Sequence, residues 1–145
     1  MSQKPNIGSL VGSWTYRSFN NDPDLAAAFD SLEFGRGTIR IDDAPFGVLA
    51  GVIGGPGWQL QLSGSVNYGD PFSVRFQGRG VIGGEEWVYD YQGYVVKPWP
   101  NGVDQRPALV GSIVRTVPHS GSSKGSVNPA GVVASWIAVR QEPDA

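Results

Sequence analysis

Residues 72–81 read Phe72-Ser73-Val74-Arg75-Phe76-Gln77-Gly78-Arg79-Gly80-Val81. Phe72, Val74 and Phe76 alternate with Ser73, Arg75, Gln77 and Arg79, the period-2 pattern of a strand with one face in a core and the other in water. A slip of one residue would expose every apolar side chain, so the pattern itself sets the register. Upstream, Trp58 to Val66 repeats the alternation, with Trp58, Leu60 and Leu62 against Gln59, Gln61 and Ser63. Downstream, Glu85 to Val96 carries the stripe Trp87, Tyr89, Tyr91. Further out, Leu10 to Phe19 sets Trp14, Tyr16 and Ser18 against Ser13, Thr15 and Arg17. With Glu33 to Ile41, Phe46 to Ile53, Ala108 to Thr116 and Val132 to Arg140, the predicted strands number eight.

The junctions Gly54-Gly55-Pro56-Gly57, Asn67-Tyr68-Gly69-Asp70-Pro71 and Gly83-Gly84 are short enough for hairpins, which implies an up-and-down strand order. The 21 Gly and 11 Pro suit many short strands joined by turns. One segment breaks the pattern. Asn21 to Leu32 opens with Asn and Asp before Pro23 and places Leu25, Phe29 and Leu32 on one helical face, which predicts a short helix between strands one and two. Eight such strands fold as a sandwich or as a barrel, and closure into a barrel removes the exposed edges that a sandwich must protect. The expectation is therefore all-β: an eight-stranded antiparallel up-and-down barrel over residues 1–145, with a core that buries roughly two thirds of the unfolded surface.

Charge and composition narrow the function. Eleven Lys+Arg against 13 Asp+Glu give a net charge of -2, with the basic residues scattered singly, so no footprint for nucleic acid is present. Gly35-Arg36-Gly37 and Gly78-Arg79-Gly80 look like RNA-binding repeats, yet both are embedded in alternating strands, where Gly marks a bend or bulge. The chain has no Cys and one His, which excludes thiolate catalysis, Cys-based zinc sites and multi-His metal sites; no cofactor is expected. No apolar run approaches the ~20 residues that span a bilayer and no signal peptide is visible, so the expected compartment is the cytoplasm.

Alternating strand direction places the Asn21–Leu32 segment, the Gly54–Gly57 and Gly83-Gly84 turns and the long Val117–Gly131 loop at one end, the expected mouth. Tyr16, Trp58, Phe76, Trp87, Tyr89 and Arg115 would face inward near it. An eight-stranded barrel is just wide enough to be filled by side chains or to hold one small ligand, so this aromatic set reads as core packing or as a pocket whose tyrosine hydroxyls supply a few polar groups. His119, in a Ser- and Gly-rich loop at the mouth, reads as a solvated side chain or as an acid or base. Asp42-Asp43 and Glu85-Glu86 are adjacent pairs, which on a strand point to opposite faces. The Asn21–Leu32 helix would serve as a lid, a plug or a partner surface, and Trp99 between two prolines is a further candidate contact.

Gly12-Ser13-Trp14 at the start of strand one resembles the G-x-W signature of lipocalins and the wider calycin superfamily, avidins included. Asp90-Tyr91-Gln92-Gly93-Tyr94 resembles the lipocalin D-Y-x-x-Y element, and Arg140 ends the last strand where lipocalins pack an Arg across the first-strand Trp. That cation–π contact would contribute about 1 kcal/mol. Tyr89 stands where lipocalins favour Thr, and the avidin Thr-Trp-Ser-Gly pattern is absent. The resemblance implies an architecture over most of the chain and no particular ligand. The leading expectation is a protein that binds a small apolar or amphipathic molecule at Tyr16, Trp58, Phe76, Trp87, Tyr89, Arg115 and His119, with Arg115 offering charge to an anionic group. Two alternatives stand beside it: an isomerase or cyclase that works through cavity shape, resembling allene oxide cyclase, and a protein-binding or inhibitor barrel with a packed interior. Homo-oligomerisation is compatible with each.

Overall fold

The computed structural model describes residues 10–45, 47–97, 100–103, 105–121 and 124–141. Eight antiparallel strands close into a barrel: β1 (Gly12–Asn20), β2 (Glu33–Ile41), β3 (Val48–Gly55), β4 (Trp58–Asn67), β5 (Ser73–Ile82), β6 (Glu85–Val95), β7 (Ala108–Arg115) and, after a small hairpin of β8 (His119–Ser120) and β9 (Val127–Asn128), β10 (Val133–Val139). The order around the barrel is β1, β10, β7, β6, β5, β4, β3, β2. Each strand pairs with its sequence neighbour, and pairing of Arg17 with Ile137 through Asn20 with Ala134 closes the ring. The eight predicted strands are thus the eight barrel strands; Phe46, the predicted start of the third, lies outside the described residues, as does Trp99.

The alternation that predicted the strands also sorts the core. In β4 the side chains of Leu60, Leu62 and Val66 are buried while Gln59, Gln61 and Ser65 are exposed; in β5, Val74 and Phe76 are buried while Arg75 and Arg79 are exposed. Gly35-Arg36-Gly37 and Gly78-Arg79-Gly80 sit inside β2 and β5. At Gly37 a side chain is forbidden by close approach, since a Cβ there would overlap the Gly54 carbonyl oxygen.

The predicted helix between β1 and β2 is a single 3-10 turn over Phe29–Leu32. The would-be cap Asp22, and Asp24 after it, are used in successive local turns instead: Asp22 accepts from the Asp24 N–H at 2.8 Å, and Asp24 accepts from the Ala26 N–H at 2.9 Å. Such Asx turns compete directly with helix hydrogen bonding. Little burial opposes them: Leu25 is fully exposed, and Phe29, itself exposed, has its ring 4.9 Å from the strand-end ring of Phe19.

The end at which β1 begins and β10 finishes is sealed. Trp14 is fully buried there and donates its indole N–H to the Leu10 carbonyl at 2.9 Å. Arg140 is its bridge partner in the ladder, with its guanidinium beside Gly12. Halfway along the barrel, Phe76 stacks on Tyr91 at 4.6 Å and Trp136 packs edge-on against both. The Trp136 indole N–H is shared by the carbonyls of Gln92 and Ser112, which fixes this large ring in place. No described helix is long and apolar enough to cross a membrane.

Candidate functional site

Toward the other end the packing stops. A cavity of about 270 Å3 lies at the mouth, bounded by six aromatic residues, Tyr16, Phe34, Trp58, Trp87, Tyr89 and Tyr91. Leu60, Ile82 and Ile113 supply aliphatic wall, and Ser18 a further hydroxyl, beside Gly35 and Gly57. The strands explain the grouping. Trp58 opens β4, Trp87 is the third residue of β6, Phe34 is the second residue of β2, and Ile82 ends β5, so all four come to the end where the β1–β2 connection and the tight turns gather. Rings meet edge to face around the space: Tyr16 with Trp58 at 6.5 Å, Tyr16 with Tyr91 at 6.2 Å, Phe34 with Tyr89 at 6.2 Å, and Trp87 with Tyr89 at 6.4 Å. That geometry is the favoured one for aromatic quadrupoles and holds the walls apart.

Tyr16, Trp58, Trp87 and Tyr89, singled out from the sequence, line this cavity together. Phe76, Arg115 and His119 do not line it; each supports a residue that does. Phe76 lies flat on Tyr91. His119 is buried, at 3% exposure, rather than solvated. Its imidazole stacks on Trp87 with centroids 3.7 Å apart, and its Nε2 is 2.6 Å from the Tyr89 hydroxyl. His119 Nδ1 faces the Ser120 carbonyl at 3.0 Å, and because a carbonyl only accepts, Nδ1 carries a proton and donates it there, leaving Nε2 to the Tyr89 hydroxyl. Arg115 Nε donates to the Tyr89 oxygen at 3.2 Å, and its Nη1 to the Pro129 carbonyl at 3.3 Å. The guanidinium also lies 5.0 Å from the Phe34 ring centre and 5.7 Å from that of Tyr89.

These contacts turn the Val117–Gly131 segment into a strap. The β8–β9 hairpin brings His119 against β6, and the Ser120 N–H bonds the Glu85 carboxylate at 3.1 Å, so Glu85 serves the strap. Thr116 anchors its start by donating both N–H and hydroxyl to the Val88 carbonyl.

Electrostatically the cavity is neutral. Burial pushes the Tyr16 hydroxyl up to about 12, partly offset by hydrogen bonds with Ser18 and Tyr91, and burial drives Tyr91 well above its ordinary value. Both remain protonated over the physiological range. Among the described residues no group of three or more His, Cys, Asp or Glu could hold a metal ion. Trp87 carries a further feature: its indole Nε1 is the one buried side-chain polar atom without a hydrogen-bond partner among the described residues.

Sequence reasoning did not reach Phe34. A register shift in the β1–β2 ladder pairs Ser18 with Gly35 and then Phe19 with Glu33, so Phe34 is passed over and turns toward the mouth. Strict alternation would have put it outside. Ser18, Leu60 and Tyr91 were legible as inward-facing positions, and Ser18 is fully buried. Comparison with protein-family models, curated proteins and solved structures finds no match for this chain.

Proposed function

We propose that the chain is a small-molecule binding protein whose ligand, largely apolar, occupies the cavity at the mouth of the barrel. The observation that carries this reading is the aromatic-walled space of about 270 Å3 that opens beside the buried core at the mouth of the barrel. An apolar cavity of ~150 Å3 takes up benzene, so this one suits a molecule about twice that size. Apolar walls with a few convergent hydroxyls are the usual make-up of ligand pockets. The calycin resemblance fits the same reading: Gly12, Trp14 and Arg140 meet at the end opposite the cavity. The ionisable groups on the cavity wall are the hydroxyls of Tyr16, Tyr89 and Tyr91, and a binding role requires no covalent step.

Native mass spectrometry of the full chain tests the reading, paired with thermal unfolding in the presence of small apolar molecules. The expected result is a molecule released on denaturation, or a rise in Tm with ligand concentration, because a ligand that binds only the folded state adds RT ln(1 + [L]/Kd) to stability. No retained molecule together with an unchanged Tm at millimolar naphthalene, indole and comparable compounds would overturn it.

A further inference from the structure

We propose that the outer face of β7 and β10 is the surface on which two copies of this chain pair across a twofold axis. The strands of the barrel do not all present the same face to water. β4 and β5 turn Gln59, Gln61, Arg75 and Arg79 outward, and β2 turns Arg36 and Arg40 outward. β7 turns out Val110, Ser112 and Val114, β10 turns out Val133, Ser135 and Ile137, and neither strand sets a charged side chain on this face. The ladder places these residues side by side, Val110 opposite Ile137, Ser112 opposite Ser135 and Val114 opposite Val133. Tyr94 extends the first row onto β6, and Arg17 ends it on β1. Tyr94, Val110, Val133 and Ile137 are 60%, 41%, 53% and 37% exposed, on adjoining strands, and apolar side chains grouped in this way mark a contact surface.

The pattern identifies the occupant. A twofold contact sets one surface against itself, so its centre must be free of charge and its two flanks must complement each other. An axis along the seam between β7 and β10 lays Val110 on the partner's Ile137 and Ser112 on the partner's Ser135, so that apolar meets apolar and hydroxyl meets hydroxyl. The same operation lays β6 on β1 of the second copy, which brings the Tyr94 ring to the partner's Arg17. Arg17 is exposed and belongs to neither of the ion pairs formed among the described residues, Arg36 with Glu33 and Arg40 with Asp42. A guanidinium over a tyrosine face complements that flank, and the symmetry supplies the contact twice.

The size agrees with a reversible association. Four adjacent strands about 4.8 Å apart, each about seven residues long, present a footprint of roughly 450 Å2. Pairing two such faces removes roughly 900 Å2 from water, at the low end of specific interfaces, which sets the dissociation constant on the order of 10 to 100 µM.

Sedimentation velocity of the full chain between about 10 µM and about 1 mM tests the pairing, and the mass should climb from one chain toward two across that range. Val110→Glu and Ile137→Lys should each stay monomeric at the highest concentration and keep the thermal unfolding midpoint of the dilute parent. Their equimolar mixture should dimerise at least about tenfold more tightly than either alone, because the axis sets position 110 against position 137. If a variant does not fold, the parent chain decides: in its 15N–1H spectrum the amides of Tyr94, Val110 and Ile137 should shift with concentration. A parent chain that stays monomeric throughout, leaving the face to a different protein, would overturn the proposal. So would variants that dimerise as tightly as the parent, a mixture no tighter than its components, or concentration-dependent shifts centred on another face.

Discussion

Replacing Tyr16 by Phe removes a hydroxyl that burial holds in its neutral form, and the consequence should appear at alkaline pH. The ordinary tyrosine value of 10.0 is pushed up to about 12 in the folded barrel. Below pH 10 both folded and unfolded chains keep this proton, and the group adds no pH dependence. Above pH 10 the unfolded chain ionises while the folded chain does not, so stability falls as pH rises and the loss levels off above the folded value. Linkage between the two values gives a loss of ~1.4 kcal/mol at pH 11 and ~2.3 kcal/mol at pH 12 from this residue. Tyr91 shifts in the same direction and adds to the wild-type loss. Lys and Arg titrate in this range too, but equally in wild type and variant, so the difference between the two isolates Tyr16. Urea unfolding followed by tryptophan fluorescence at pH 8 and at pH 11 measures it. Tyr16→Phe should be less stable by ~1 kcal/mol at pH 8, for its lost hydrogen bonds, and should overtake or match wild type by pH 11. Parallel stability curves for the two proteins across this range would refute the burial of a neutral Tyr16.

Three other substitutions probe separate parts of the structure. His119→Ala removes the stack on Trp87 and the hydrogen bond to the Tyr89 hydroxyl, so trypsin should cut after the exposed Lys124 at least about tenfold faster while the barrel core keeps its amide protection. Gly111→Ala would drive a Cβ into the Gln92 carbonyl oxygen and within 2.5 Å of the Gly93 Cα; it should cost more than about 4 kcal/mol, read as a collapse of the melting transition. Ile113→Trp, aimed into the cavity, should abolish naphthalene binding in a calorimetric titration at a stability cost of about 1–3 kcal/mol, because it overfills a wall without touching the sealed end.

Barrel topology was legible because each strand carries its own inside-outside code, and short turns leave each strand only its neighbour to pair with. Four of the aromatic wall positions followed from the same code once strand direction was known. What escaped the sequence depends on three-dimensional competition. Asp22 closes a local turn rather than capping a helix, and Leu25, fully exposed, buries nothing that would favour the helix. The place of Phe34 is decided by a one-residue shift between β1 and β2 that no residue type announces. His119 lies in a segment whose Ser and Gly content suggests mobility, yet a three-way contact with Trp87, Tyr89 and Ser120 buries it. Arg115, expected to meet the ligand, is instead bonded to the Tyr89 hydroxyl and the Pro129 carbonyl.

The central claim is that the barrel is hollow at one end and takes a small, largely apolar molecule there. The indole region of a 15N–1H correlation spectrum tests it most directly, because the described tryptophans mark both halves: Trp58 and Trp87 line the cavity, Trp14 seals the far end, and Trp136 is locked in the packed layer between. With saturating naphthalene, the Trp58 and Trp87 signals should shift most, and Trp14 should stay in place. An unchanged spectrum, or shifts centred on Trp14, would contradict a ligand cavity at the mouth.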